Sequence, residues 1–181
     1  MTKIISGFPA VGKSYLFNSN NNLTILDSDS SQFSWIKKGV RHPEFPQNYI
    51  DHIKQNIGKV DIILVSSHKI VRDALKENKI NYILVYPARI LKQEYINRCY
   101  KRGDDSSFIS MLDKNWDVFI NEIKEEKFPV KLRLWDEEFL GDIFIKDYCS
   151  VYQEFCTVKQ TNADEYEGNP CCRCNCMKKL V

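Results

Sequence analysis

The sequence predicts an α/β protein, with a parallel five-stranded sheet held between layers of helices. Three observations carry that prediction. Five short runs are Leu-rich or β-branched and apolar on both faces, as strands covered on both sides are. Amphipathic stretches with helical spacing separate these runs, which argues βαβ units with right-handed crossovers. A glycine-bounded loop joins the first apolar run to the first helical stretch.

The elements follow in order. KIIS (3–6) is the first strand, and a helix opens at Lys13 and runs to Phe17. NSNNN (18–22) is a short polar loop before the second strand, LTILD (23–27). Gln47 to Ile57 carries Tyr49, Ile50, Ile53 and Ile57 on one helical face. VDIILVS (60–66) is the third strand, and Ile70, Val71 and Leu75 mark the helix after it. INYILVYP (80–87) is the fourth strand, followed by a helix from Ile90 to Tyr100. Ile109, Leu112, Trp116, Phe119, Ile120 and Ile123 then form a helical stripe within Phe108–Ile123. VKLRLW (130–135) closes the sheet as its fifth strand.

The chain has 181 residues, a length that suits one domain. Its net charge of +2, with 43% hydrophobic and 28% charged residues, excludes a strongly basic nucleic-acid coat and an acidic disordered tail. No apolar run approaches the ~20 residues of a membrane span, and MTKIISGF lacks the pattern of a secretory signal. A cytoplasmic protein is expected. The pattern breaks near residue 147, so 1–147 is read as the domain and 148–181 as a flexible appendage. That appendage holds six of the seven cysteines. Cys171, Cys172, Cys174 and Cys176 are too compressed for a regular zinc site on their own, since zinc prefers separated cysteine pairs. Help from Cys149 or Cys156, lipidation beside Lys178 and Lys179, and a tail without catalytic role are the readings left open.

The loop after the first strand carries the strongest chemical signal. Gly7-Phe8-Pro9-Ala10-Val11-Gly12-Lys13-Ser14 matches G-x-x-x-x-G-K-[ST] at every fixed position, between a strand and a helix as the motif requires. Glycines let the backbone wrap around phosphates, and amides at a helix start point inward. Lys13 would reach the β- and γ-phosphates of ATP, and Ser14 would ligate Mg²⁺.

On these residues the chain resembles the small P-loop kinases over about 1–147. That group includes nucleoside monophosphate kinases, shikimate and gluconate kinases and the kinase half of polynucleotide kinases; small phage-encoded members look most similar. The resemblance implies a nucleoside monophosphate kinase-like three-layer P-loop sandwich with a helical lid, and ATP-dependent transfer to a small acceptor. A nucleoside, nucleotide or modified nucleotide is the first expectation, and a nucleic-acid hydroxyl the alternative. An NTP-binding regulatory module without efficient transfer is a further alternative.

Asp27 and Asp29 follow the second strand, where α/β proteins place ligands. Similar kinases carry Asp-x-Asp there, which implies that Asp27 binds Mg²⁺ or its waters and that Asp29 orients the acceptor hydroxyl and can act as base. The alternative is that both are turn or helix-cap residues. The segment after them corresponds to the acceptor region of related kinases. Phe33 and Trp35 there either stack on a base or pack under the next helix, and Arg41 could bind an acceptor phosphate. The third strand ends in Ser66 where many P-loop proteins have an acidic residue, so Mg²⁺ ordering falls to Ser14 and Asp27. His68 either touches a substrate phosphate or simply begins a helix.

Residues 89–102 carry Arg89, Lys92, Arg98, Lys101 and Arg102 against Glu94, a local charge of +4. By the resemblance, Arg98 and Arg102 are lid arginines that stabilise the transferring phosphoryl group. A solvated basic face is the other reading.

Overall fold

The computed structural model describes residues 2–19, 22–37 and 39–145; of residues 143–145 it describes the backbone. The cysteine-rich segment, with Cys149, Cys156 and Cys171–Cys176, lies outside the described residues.

The elements run β1 (Lys3–Gly7), α1 (Lys13–Asn18), β2 (Ile25–Asp27), α2 (Ser31–Ser34), β3 (Trp35–Lys37), β4 (Val40–Arg41), α3 (Gln47–Asn56) and β5 (Ile62–Ser66). Then come α4 (Lys69–Glu77), β6 (Ile83–Pro87), a 3-10 turn at Arg89–Leu91, α5 (Lys92–Arg102), α6 (Ser106–Glu125), β7 (Val130–Leu134) and α7 (Leu140–Ile145). The five expected strands form one sheet in the order β2-β5-β1-β6-β7, and every pairing is parallel. β1 sits at its centre, so Gly7 and the loop after it leave from mid-sheet.

The chain moves from β1 to the far edge at β2, then steps back to β5 and across β1 to β6. Right-handed crossovers place a connection moving one way on one face and a connection moving the other way on the opposite face. Accordingly α1 meets α7 on one side while α3 meets α4 on the other. Both faces of the central strands are therefore covered. Ile4, Ile5, Ile62 to Val65 and Ile83 to Val85 are all buried. Each such side chain contributes roughly 1.5–3 kcal/mol.

Helix ends follow local chemistry. Gly103 takes φ 79 and ends α5, a conformation that costs an L side chain but not glycine. Asp105 then caps α6 by accepting from the Ser107 amide at 2.8 Å. The expected stripe is buried at Ile109, Leu112, Trp116, Ile120 and Ile123, with Phe119 partly buried beside it.

Three local expectations differ. Ile57, just past the end of α3, and Ile70 are exposed, while the buried face of α4 takes Arg72 along with Val71, Ala74 and Leu75. A charged residue does not register in an apolar stripe; Arg72 is tolerated because Glu126 and the Ser67 carbonyl hold it. The β3–β4 hairpin and α2 were not legible as elements. They are two to four residues long, too short for a period to show. The second strand starts at Ile25 rather than residue 23, because Thr24 turns its amide and hydroxyl onto Asp61 at 2.7 and 2.5 Å. Asp61 thus ties the strand entrances together, at the sheet end opposite Gly7.

Candidate functional site

The loop from Gly7 to Ser14 is anchored through its non-glycine positions. Phe8 and Val11 are buried. The Phe8 ring meets Trp116 edge-on at 5.4 Å and Tyr95 at 6.3 Å, and its amide donates to Val85 of β6 at 2.9 Å. The backbone turns through left-handed conformations at Ala10 (φ 61), between these anchors, and at Gly12 (φ 96), just after them. At Gly7 a Cβ would meet Val11 Cγ2 at 2.9 Å and Lys13 Cδ at 3.0 Å, so only glycine fits.

Among the described residues, the amides of Ala10, Gly12, Lys13, Ser14 and Tyr15 donate to no acceptor. Successive free amides around a left-handed residue form a concave anion site. Lys13 is half-buried beside them and donates to the carbonyls of Gly7 at 2.7 Å and Phe8 at 3.3 Å. Burial lowers the Lys13 pKa to about 8, with Arg102 adding to the fall and Asp27 and Asp29 opposing it. Lys13, Asp27, Asp29 and Arg102 therefore share one electrostatic neighbourhood.

Asp27 ends β2 beside Leu64 of β5. Ser14 Oγ donates to its Oδ2 at 3.3 Å. Ser14 and Asp27 are the pair that could hold a divalent cation. Among the described residues no group of three or more His, Cys, Asp or Glu converges on a metal position. Such a pair suits Mg²⁺, which keeps waters and takes phosphate oxygens for its remaining positions. Asp29 stands in a turn: its Oδ1 accepts from the Ser31 amide at 2.9 Å and its Oδ2 from the Ser31 hydroxyl at 2.6 Å. The turn reading therefore describes its present contacts. Each oxygen still has a lone pair to offer.

Tyr49 was legible only as part of an apolar stripe. Its ring is buried and its hydroxyl donates to the Ser28 carbonyl at 2.6 Å, fixing the chain between the two aspartates. Burial pushes its pKa up to about 12, so it remains a donor. Phe33 packs against Tyr49 at 5.1 Å and His52 at 4.7 Å, which makes it a packing residue of this site. Trp35 instead is 45% exposed on β3. Arg41, across the hairpin, lies 4.8 Å from the Trp35 ring and 5.1 Å from that of Phe45. No carboxylate pairs with Arg41 among the described residues.

His68 is the N-cap residue of α4, as a residue that simply begins a helix would be, and among the described residues its side chain makes no capping hydrogen bond. Loss of solvent around the ring lowers its pKa, and Lys13, Arg41 and Arg72 push the same way while Asp29 opposes them. His68 shares the lining of one cavity with Phe8 and Pro9 of the glycine loop. Ser66 accepts the His68 amide at 3.3 Å through its hydroxyl.

The two arginines of α5 differ. Arg98 is half-buried between the Tyr95 ring at 4.6 Å and the Phe139 ring at 4.0 Å, and it pairs with Glu94. It also donates to the carbonyls of Ala10 and Glu138 at 3.4 Å. Those contacts hold the glycine loop; they do not leave a free cation above it. Arg102 is half exposed and makes a two-pronged pair with Asp104 at 2.9 and 2.5 Å. Phe139 and Leu140 were not foreseen at the site. Leu140 donates its amide to the Val11 carbonyl at 2.8 Å, and Phe139 packs within 3.3 Å of where a Gly12 side chain would stand. Nothing in a run as mixed as WDEEFLGD signals that contact in advance.

No family model and no curated protein matches this chain.

Proposed function

We propose that this chain is an ATP-dependent kinase of a small acceptor, with the nucleoside monophosphate kinase-like arrangement of the P-loop fold. The observation that carries the reading is the run of unspent amides around Ala10 and Gly12, with Lys13 and the Ser14–Asp27 pair beside it. The pattern of residues and the free donors suit a polyphosphate.

In this reading Gly7 to Ser14 cradle the β- and γ-phosphates of ATP, and Lys13 neutralises them. Ser14 and Asp27 would hold Mg²⁺, which would supply charge neutralisation. Asp29 orients the acceptor hydroxyl and takes its proton as the new phosphorus–oxygen bond forms and the bond to the ADP oxygen breaks. Arg102, half exposed and close enough for its charge to act on Lys13, is the arginine assigned to the transferring group; Arg98 shapes the loop. Arg41, free of any carboxylate among the described residues, suits an acceptor phosphate.

The exposed Trp35 beside Arg41 favours a second reading, a nucleic-acid hydroxyl as acceptor, because exposed aromatics stack on splayed bases. Labelled ATP with a panel of nucleosides, nucleotides and oligonucleotides separates the readings. Transfer to a nucleoside or nucleotide supports the first, and transfer to oligonucleotides alone the second. Transfer to none of them overturns both and leaves an NTP-binding module. Asp29→Ala is expected to abolish transfer while leaving ATP binding intact; unchanged turnover would remove Asp29 from its role.

A further inference from the structure

A cavity of about 240 Å³ lies between the start of α4 and the middle of α6, and nothing above assigns it a role. It touches the glycine loop directly, because Phe8 and Pro9 form one wall. Ser67 and His68, from the end of β5, form a second, and Phe108 and Leu112 of α6 face them. The occupant would therefore lie beside His68, which feels the charges of Lys13, Arg41 and Asp29.

Size limits what enters. An apolar cavity of about 150 Å³ holds a benzene ring, and pockets for whole drug-sized ligands start near roughly 300 Å³. This cavity accommodates one flat ring system and excludes a complete nucleotide. Its walls are apolar over most of their area, and Met111 at the rim is a side chain that adapts to different shapes.

One corner is polar. Arg72 is 4% exposed, yet among the described residues its Nη2 has no hydrogen-bond partner. Its Nε donates to Glu126, its Nη1 to the Ser67 carbonyl, and Glu122 Oε2 stands 3.8 Å from Nη2. Two carboxylates already balance the guanidinium charge, so the corner offers an unspent donor and not a spare positive charge. A neutral acceptor such as a ring carbonyl would use that donor, and the Glu122 carboxylate would accept from a ring N–H. A donor and an acceptor side by side at the end of an apolar slot match the edge of a nucleobase.

We propose that this cavity binds the nucleobase of the phosphoryl acceptor, with the ring between the Phe8–Pro9 wall and α6 and its edge on Arg72 and Glu122. The assignment rests on the kinase reading and narrows the acceptor to a compound that carries a base.

The test uses the full chain labelled with ¹³C at the methionine methyl groups, with Mg²⁺ and a non-hydrolysable ATP analogue present. Thymidine, uridine, adenosine and guanosine are titrated in turn, with gluconate as an acceptor lacking any ring. At least one nucleoside is expected to shift the Met111 methyl resonance saturably, and gluconate is not. Met111→Trp, a change at a half-exposed rim position, is expected to weaken nucleoside binding by about tenfold or more and to leave the analogue's affinity unchanged. Absence of any nucleoside shift, a shift with gluconate, or full nucleoside affinity in M111W overturns the assignment. The analogue's own binding, measured in the same samples by calorimetry, reports on the kinase reading separately. Failure there with a saturable nucleoside shift would overturn that reading and keep the base site.

Discussion

Ser14 Oγ and Asp27 Oδ2 stand 3.3 Å apart, so the first turn of α1 and the end of β2 meet at one point. That contact is long and exposed, and it contributes little to stability. Asp27→Asn is expected to change the unfolding free energy by less than about 0.5 kcal/mol. Loss of a charged partner for the cation is expected to weaken Mg²⁺-dependent ATP binding on the order of 10- to 100-fold. Calorimetry with ATP at fixed and varied Mg²⁺ checks both; equal affinity with and without Mg²⁺ in the native protein would remove the cation from this pair.

Lys13 gives a pH signature. Its folded pKa, about 8, lies below the ordinary lysine value. The unfolded chain keeps that proton between the two values while the folded chain has lost it, so this group makes stability rise with pH across that window. Below pH 8 the folded state bears the burial of a charge. Lys13→Met is therefore expected to stabilise the protein at pH 7 on the order of 1 kcal/mol while destroying ATP affinity. In the native protein, bound polyphosphate restores the charge, so ATP binding near pH 8.5 should take up protons. Calorimetry in buffers of different ionisation heat measures that uptake, and no dependence on buffer would contradict it.

Arg98 and Arg102 should separate cleanly. Arg98 is half-buried between two rings and paired with Glu94, so Arg98→Ala is expected to cost about 1–3 kcal/mol, read by chemical denaturation. Arg98→Lys recovers little, since lysine cannot stack or fork in the same way. Arg102→Ala, at a half-exposed pair, should cost under about 1 kcal/mol and act on turnover instead. A large stability loss at Arg102 with none at Arg98 would reverse these assignments.

Gly7→Ala tests the close approach of the loop. The added methyl meets Val11 and Lys13 at 2.9 and 3.0 Å, so the loop must shift. A cost of about 1–3 kcal/mol and loss of ATP binding are expected, with the circular dichroism of the folded domain retained. Full ATP affinity in that variant would show that the loop geometry is not what binds the nucleotide.

Much of this molecule was legible before any coordinates. Strand runs apolar on both faces, such as IILV at 62–65, admit few places other than mid-sheet, because both sides must be covered. The loop from Gly7 to Ser14 was equally plain, since two glycines, a lysine and a hydroxyl at fixed spacing describe a backbone conformation as much as a composition. The helical stripe through Trp116 followed from its period alone. These features are local, and the physics that sets them acts over one or two turns of chain.

The tertiary structure decided the rest. Arg98 looked like a free cation; Glu94 stands one turn back on the same helix, and only the arrival of Phe139 and the Ala10 carbonyl from two other segments turned the pair into a clamp. Tyr49 became the support of the acidic turn only when α3 folded back beside Ser28. Arg72 became the corner of a cavity because α4 packs near α6, fifty residues further along the chain. Residue type and spacing determine which chemistry a chain carries and which elements bear it. Which of its charges are spent in the fold and which remain free is decided by partners distant in sequence, because desolvation and pairing depend on neighbours that only the packed chain brings together.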